Sequence, residues 1–250
     1  MFKRRHNSQD LENKKGTKIE FISKKGRIYY LSQKSKILGL LDEYAKNWRP
    51  TLVNRYGEQF ANNIIKLARD KTEELIPNIP YIGGENNSMT YHLIRSTPSL
   101  ALYKVMKIYG KTARETGEII YKATVSVIEK IPFSPAGSPP LEFIQKRKEE
   151  AKKSQERRYP EDWVWEFIEG EKNKFDYGYD FYECGVQKYY KAQNAQEFLP
   201  YFCFLDFLTV RASGKILIRS MTLAEHGEKC DFRFRSVKNN QGWPPPFLKE

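Results

Sequence analysis

The stretch FDYGYDFYEC, residues 175–184, alternates aromatic and polar side chains. That is the period of a half-buried strand, not of a helix, and it divides the chain in two. Upstream, from about residue 34 to 155, apolar residues recur at helical spacing. KSKILGLLDEYAKNW (34–48) sets Ile37, Leu40, Leu41 and Tyr44 on one helix face, and Pro50 is expected to kink or end that helix. EQFANNIIKLARDKTEEL (58–75) carries a second stripe of Phe60, Ile64, Leu67 and Ala68. TYHLIRSTPSLALYKVMKIYG (90–110) and KTARETGEIIYKATVSVIEKI (111–131) read as two more helices, with Gly110 stopping the first of them. PFSPAGSPP (132–140) breaks the chain with four prolines, and LEFIQKRKEEAKKSQERRYP (141–160) follows as a charged, solvent-facing helix.

Downstream of the alternating stretch, VQKYYKAQNAQEFLPYFCFLDFLTVRA (186–212) returns to helical spacing, interrupted or started afresh near Pro200 and closed by Gly214. KILIRSMTL (215–223) and CDFRFRSV (230–237) read as two further strands. GWPPPFLKE (242–250) is a proline-rich tail with an aromatic anchor. The expected fold is α+β: a helical N-terminal half packed on a small antiparallel sheet, the latter built as strand, helix, strand, strand and covered by its helix. The boundaries are a basic N-terminal arm at 1–33, a helical region at 34–158, an α+β region at 159–237 and the tail at 238–250. Residues 34–237 are expected to form one body. No internal repeat is present.

A chain of 250 residues is long enough for one sizeable core or two small domains. No apolar run approaches the roughly 20 residues of a membrane helix, so no membrane partner is expected. The basic start MFKRRHNSQD is not followed by an apolar stretch, which argues against a secretory signal. Three cysteines argue against a disulfide framework and for a reducing cytoplasm. The net charge of +12 invites a nucleic-acid reading, but its location does not support one. Residues 1–50 hold thirteen Lys and Arg against five Asp and Glu, which is +8 of that excess. No zinc-finger, RNP or helix-turn-helix signature accompanies it, so the arm reads as a solvated face or an attraction to an anionic ligand or partner, with no specific nucleic acid. The oligomeric state is left open.

The three cysteines each keep a carboxylate within three residues. Cys203 and Asp206 share a helix face. On the last strand Cys230, Phe232 and Phe234 point one way, and Asp231, Arg233 and Arg235 the other. Cys184 closes the first strand. If the helix lies over the sheet, the three thiols converge with Asp206 at one end of it. Against this stand two facts: free cysteine packs as a small hydrophobe, and a neighbouring carboxylate raises a thiol's pKa. A nucleophilic thiol wants His or Lys beside it, and His226, four residues before Cys230, is one candidate. Three thiols and a carboxylate would also suit zinc, with Cys184, Cys203, Cys230 and Asp206 as ligands, although no pair has the spacing of a structural zinc site. PNIPYIGGENNSMTYHLI (77–94) adds Gly83 and Gly84, where backbone approaches a ligand closely, and Asn86, Asn87 or Ser88 as a cap for a helix whose N-terminal amides favour an anion. Arg219 and Arg233 are candidates for clamping a substrate carboxylate.

Taken together, YGEQFANNII (56–65), LIPNIPYIGGENN (75–87), ALYKVMKIYG (101–110), YECGVQKYYKAQNAQEFLPYFCFLDF (182–207) and RSMTLAEHGEKCDFRF (219–234) resemble the L-2-amino-thiazoline-4-carboxylic acid hydrolase family. The resemblance spans roughly residues 35 to 236. Its most specific part is an E-C-G, then C-x-x-D, then T-L-A-E followed by C-D-F-R-F. A weaker similarity links the G-x-x-C-D-F ending to small-molecule-binding domains of vinyl-reductase type. The chain departs from the family pattern at His226, where glycine is expected, and at Ser220, where threonine is expected. The resemblance implies a cytoplasmic hydrolase acting on carbon–nitrogen bonds of cyclic amidines. The named activity opens 2-amino-thiazoline-4-carboxylate to N-carbamoyl-cysteine, and tailoring chemistry in small-molecule biosynthesis is a related role. The residue types suit attack on the C=N carbon by a thiolate or by water that a carboxylate activates. Cys184 is the first candidate nucleophile and Cys230 the second. Asp206 is the general acid or base, with Glu183 its competitor and His226 in reserve. Arg219 holds the substrate carboxylate, with Arg233, Thr222, Asn86 and Asn87 as further binding candidates, and Cys203 is packing. No cofactor is expected, zinc or another divalent metal being the alternative. Competing readings are a non-catalytic small-molecule sensor and a zinc-stabilised scaffold.

Overall fold

The computed structural model describes residues 23–247. Of the basic arm expected at 1–33, residues 1–22 lie outside the described residues. Residues 23–32 are not an arm: they form a helix (α1) that carries Tyr30 into the core, where its hydroxyl donates to Pro80 O at 2.7 Å. α2 (Lys34–Tyr56) continues through Pro50 rather than ending there. Trp48 and Leu52 are buried on either side of that proline, so packing offsets the lost backbone bond. Gly57, at φ 86°, turns the corner into α3 (Glu58–Leu75). The buried stripes are Ile37, Leu38, Leu41, Ala45, Trp48 and Leu52 on α2, and Ala61, Ile64, Ala68, Thr72 and Leu75 on α3. Leu40, Tyr44, Phe60 and Leu67, expected on those faces, flank them half-buried. α4 (Thr90–Ile108) is buried almost all round and contains Pro98, and Gly110 at φ 71° follows its end. α5 (Ala113–Ile128) starts from a capping box of Thr112 and Glu115. α6 (Leu141–Ser154) is the expected charged helix and buries only Ala151.

The sheet has four antiparallel strands, one more than expected. β1 (Val164–Glu171) pairs with β2 (Phe175–Glu183), and the order across the sheet is β1-β2-β4-β3. The extra strand is joined to β2 through a tight turn in which Asn173 adopts φ 67°. Between β2 and β3 lie two helices, not one. α7 (Gly185–Ala192) ends in a turn, and α8 (Leu199–Ala212) starts afresh with Pro200 in its first turn. β3 (Lys215–Ile218) is short, so SMTL is a loop, and β4 (Cys230–Ser236) completes the sheet. Register sets Tyr177 against Phe234, Tyr179 against Phe232 and Phe181 against Cys230 on β4, and Phe181 against Trp165 on β1. One face of the sheet is therefore a ladder of aromatic rings.

One hydrophobic cluster runs from Tyr30 through all the major helices to Phe234. α5 meets α8 closely enough that a Cβ on Gly117 would lie 2.6 Å from Tyr201 Cβ. The described part of the tail is held to the body: Arg211 donates to Asn239 O, Asn240 Oδ1 and Gln241 O, and Phe247 packs against Tyr121, Tyr201 and Phe204. Among the described residues no helix is long and apolar enough to cross a membrane.

Candidate functional site

β2 ends at Glu183, so Cys184 is neither strand nor helix but the N-cap of α7. α8 presents Pro200, Cys203, Phe204 and Phe207 at helical spacing along one face. Opposite that face runs the loop between β3 and β4, contributing Arg219, Ser220, Met221, Thr222 and Glu225. Together they enclose a cleft of about 230 Å³. Arg219 lies just beyond the end of β3 and crosses to α8. Its Nη1 donates to Asp206 Oδ2 at 2.8 Å and its Nη2 to Cys203 O at 3.1 Å. The guanidinium stacks between Phe207 and Phe232, 5.0 and 4.9 Å from the ring centres. The Arg219 side chain is 5% exposed and that of Asp206 40%, so the cation is sealed in while the carboxylate keeps a half-open edge; Asp206 does not itself line the cleft and meets it through Arg219, which does.

The thiols and Asp206 feel one another electrostatically. Burial pushes the Cys184 thiol up to about 12, against the pull of the Gln187 and Val186 amides, and Cys230 and Asp206 add to the rise. Burial raises Cys203 well above the usual thiol range, with Asp206 the next largest cause and Arg219 opposing. Cys230 is raised by burial, against the Leu223 amide, which donates to its sulfur at 3.2 Å, and the charge of Arg219. All three cysteines are free, and none of them favours a resting thiolate at neutral pH. Burial also raises the carboxyl of Asp206, against the charge and hydrogen bond of Arg219. Cys203, expected to be packing, is the thiol that lines the cleft; Cys184 and Cys230 do not.

Other candidates go elsewhere. Glu183 is gripped by Arg157 and Lys188. Burial raises its carboxyl, but the hydrogen bonds and charges of those two cations outweigh burial and hold it below the usual range. A carboxylate so held is a weak base. Arg233 lies on the sheet face opposite Cys230 and Phe232, where it and Lys229 neutralise the buried Asp180 at 2.8 and 2.5 Å, and it does not line this cleft. His226 is exposed at a left-handed turn of φ 65° and does not line the cleft. That backbone angle is the physical reason to expect glycine there. Thr222 lines the cleft but uses its hydroxyl locally, donating to Glu225 Oε2 and accepting the Glu225 amide. Asn87 is fully engaged, donating to Ile82 O and Asp162 Oδ2 and accepting the Met89 amide. Neither it nor Asn86 caps α4, whose N-cap is Met89. Asn86 edges a separate cleft of about 400 Å³ lined by Lys25, Ile28, Tyr29, Tyr81, Gly83, Gly84 and Glu85.

Among the described residues no three of His, Cys, Asp and Glu are grouped to hold a metal ion, so Cys184, Cys203, Cys230 and Asp206 do not form a ligand set. Asp231, which the sequence places on the far face of the last strand without a role, also serves the cleft. It faces away from the thiols, yet its carboxylate accepts the Ser220 amide (2.9 Å), the Ser220 hydroxyl (2.5 Å) and the Met221 amide (2.8 Å). Gln187 carries no role in the sequence either; its Nε2 donates to Leu223 O at 2.8 Å and ties α7 to the same loop.

No curated protein and no solved structure matches the chain. A family model does. It begins at Met89, at the head of α4, and ends at Phe234 on β4, so it takes in the sheet, α7, α8 and every wall of the cleft. That span, residues 89–234, is more than half of the chain, and the protein belongs to the L-2-amino-thiazoline-4-carboxylic acid hydrolase family.

Proposed function

We propose that the protein hydrolyses a small 2-aminothiazoline carboxylate or a closely related cyclic amidine in the cleft between α8 and the β3–β4 loop, with Asp206, bound to the cleft-lining Arg219, as general base. The family's name is that of such a hydrolase. The observation that carries the reading is Asp206 itself: a partly open carboxylate, raised by burial, held in place by a sealed arginine at 2.8 Å. A base of raised pKa nearer the working pH is the better proton acceptor.

The balance of the reaction is as follows. Asp206 takes a proton from water as the oxygen bonds to the C=N carbon, and gives that proton to the ring nitrogen as the double bond opens. The hydroxyl of the tetrahedral carbon then becomes the carbonyl as the C–S bond breaks; its proton ends on the departing sulfur, which leaves as a thiol, and the carbamoyl group stays on nitrogen. The bond attacked is C=N, but the bond broken on the way to N-carbamoyl-cysteine is C–S. Water fits better than a thiol as nucleophile because burial holds all three thiols protonated. Arg219 is spent on Asp206 and Cys203 O, so its role is to hold and charge-balance the base rather than to clamp the substrate carboxylate.

The test is turnover of 2-amino-thiazoline-4-carboxylate by the purified protein, with and without chelator, beside Asp206→Asn and single Ser variants of Cys184, Cys203 and Cys230. Turnover that survives chelator and the thiol changes but is lost in Asp206→Asn is the expected result. Loss in one thiol variant alone moves the attack to that sulfur. Tight binding of the compound without turnover turns the protein into a sensor of it.

A further inference from the structure

β2 and β4 place Asp180 and Asp231 directly opposite each other in register. Like charges at facing positions of an antiparallel pair repel, so this arrangement is a cost to the sheet. Asp180 is neutralised by Lys229 and Arg233. Asp231 receives neither cation. Its three partners are the Ser220 amide, the Ser220 hydroxyl and the Met221 amide, all on the loop that begins with Arg219. Hydrogen bonds to an ionised carboxylate are the short, strong kind, and two of these run to backbone, where a side-chain change cannot remove them. The residue next to Ser220 on one side is Arg219, which must reach Asp206; the residue next to Met221 on the other is Thr222, which lines the cleft.

We infer that Asp231 is a positioning residue: it pins Ser220 and Met221 from the far side of β4 so that Arg219 is delivered to Asp206, and through that contact it sets the proton affinity of the base. The inference rests on the reading of Asp206 as the base only for its effect on turnover, since its effect on Asp206 is measurable without substrate. Asp206 is faced by Arg219 from the loop, Cys203 from α8, Cys184 from the start of α7 and Cys230 from β4. Of these only Arg219 is a cation, so a small retreat of the loop removes the one group that opposes burial.

The experiment is a titration of the Asp206 side-chain carboxyl by carbon NMR on the full-length protein, in wild type, Asp231→Asn and Ser220→Ala, with melting temperatures measured in parallel. Asp231→Asn keeps the shape and loses the charge that the three donors share. The expected result is a rise of about one pH unit in the Asp206 titration, roughly a tenfold gain in proton affinity. Ser220→Ala keeps both backbone bonds and is expected to give a smaller rise in the same direction. Where turnover is seen, the acidic limb of kcat/KM moves by the same amount. Titration curves that superimpose on wild type while the melting temperature falls would make Asp231 a structural residue and overturn the inference. If Asp231→Asn does not fold, an unmoved Asp206 in Ser220→Ala overturns it in its place. A moved titration in a protein that never turns over the thiazoline leaves the positioning role standing and removes the proposed reaction.

Discussion

Replacing Asp206 by asparagine separates what the residue does for the reaction from what it does for the fold. Burial lifts its carboxyl in the folded protein, and the pull of Arg219 does not fully compensate. Ionising Asp206 therefore costs the folded state more than the unfolded one. The stability the group contributes is complete below the unfolded value of 3.8 and declines as pH rises through the folded value. At pH 7 asparagine resembles the protonated form: it keeps an oxygen for Arg219 Nη1 and sheds the penalty. The competing expectation is that breaking a buried pair costs about 3–5 kcal/mol, but that figure applies where the remaining charge loses its acceptor. Alanine meets that condition. Arg219 is 5% exposed, and without Asp206 its Nη1 has no acceptor there. Because Asp206 is 40% exposed the pair is only half-buried, and the loss stays below that figure, at about 1.5–3 kcal/mol, or roughly 3–12 °C in a chain of this length. Asp206→Asn is thus expected to melt within about 1 °C of wild type or higher at pH 7, and Asp206→Ala clearly lower. Turnover should fall in both by about 10²–10⁴-fold, the usual contribution of a general base and roughly 3–5 kcal/mol of barrier. Scanning calorimetry across pH 4–8 and steady-state rates on one preparation give both numbers. Asparagine turnover within about fivefold of wild type would refute Asp206 as the base. Asparagine melting as low as alanine would show that the attraction to Arg219, not burial, governs the pair.

Native protein at pH 7.5 should react with iodoacetamide far more slowly than a free thiol, because burial holds Cys184, Cys203 and Cys230 protonated, and all three should label fast in urea; mass spectrometry counts the adducts. One rapidly labelled native thiol would mark an activated nucleophile. Gly117→Ala drives a methyl to 2.6 Å from Tyr201 Cβ and should push α5 off α8 at a cost of about 1–3 kcal/mol, read as a lower urea midpoint. An unchanged midpoint would mean that this helix pair repacks freely.

What the sequence made legible follows from where periodicity is strong. FDYGYDFYE and CDFRF announce their faces because alternate residues are aromatic, and the structure pairs those faces in register. VWEFIEGE does not announce a face because its alternation fades: Trp165 and Phe167 lie on the aromatic face but Glu169 and Glu171 continue it, and its turn carries no glycine, only Asn173 in a left-handed conformation. Pro200 signals the break between α7 and α8 but leaves open whether one helix is interrupted or a second starts afresh, and the structure starts a second. The site divides along the same line. Asp206 on α8, and Arg219 and Thr222 beyond the end of a strand, are nominated by residue type, whereas Cys203, which lines the cleft, reads in the sequence as packing. Residue type does not give the pairing: which cation takes which carboxylate depends on strand order. That order gives Glu183 to Arg157 and Lys188, Asp180 to Arg233 and Lys229, and leaves Asp206 with Arg219. The same logic explains why Asp231 carries no role in the sequence: alternation places it on the face away from Cys230, and nothing in the period says what it meets there. Yet β3 stops at Ile218, the next residues fold over the end of β4, and the acid becomes the floor of the loop that builds the cleft. A strand only four residues long is what brings a residue on one face of the sheet into the service of a site on the other.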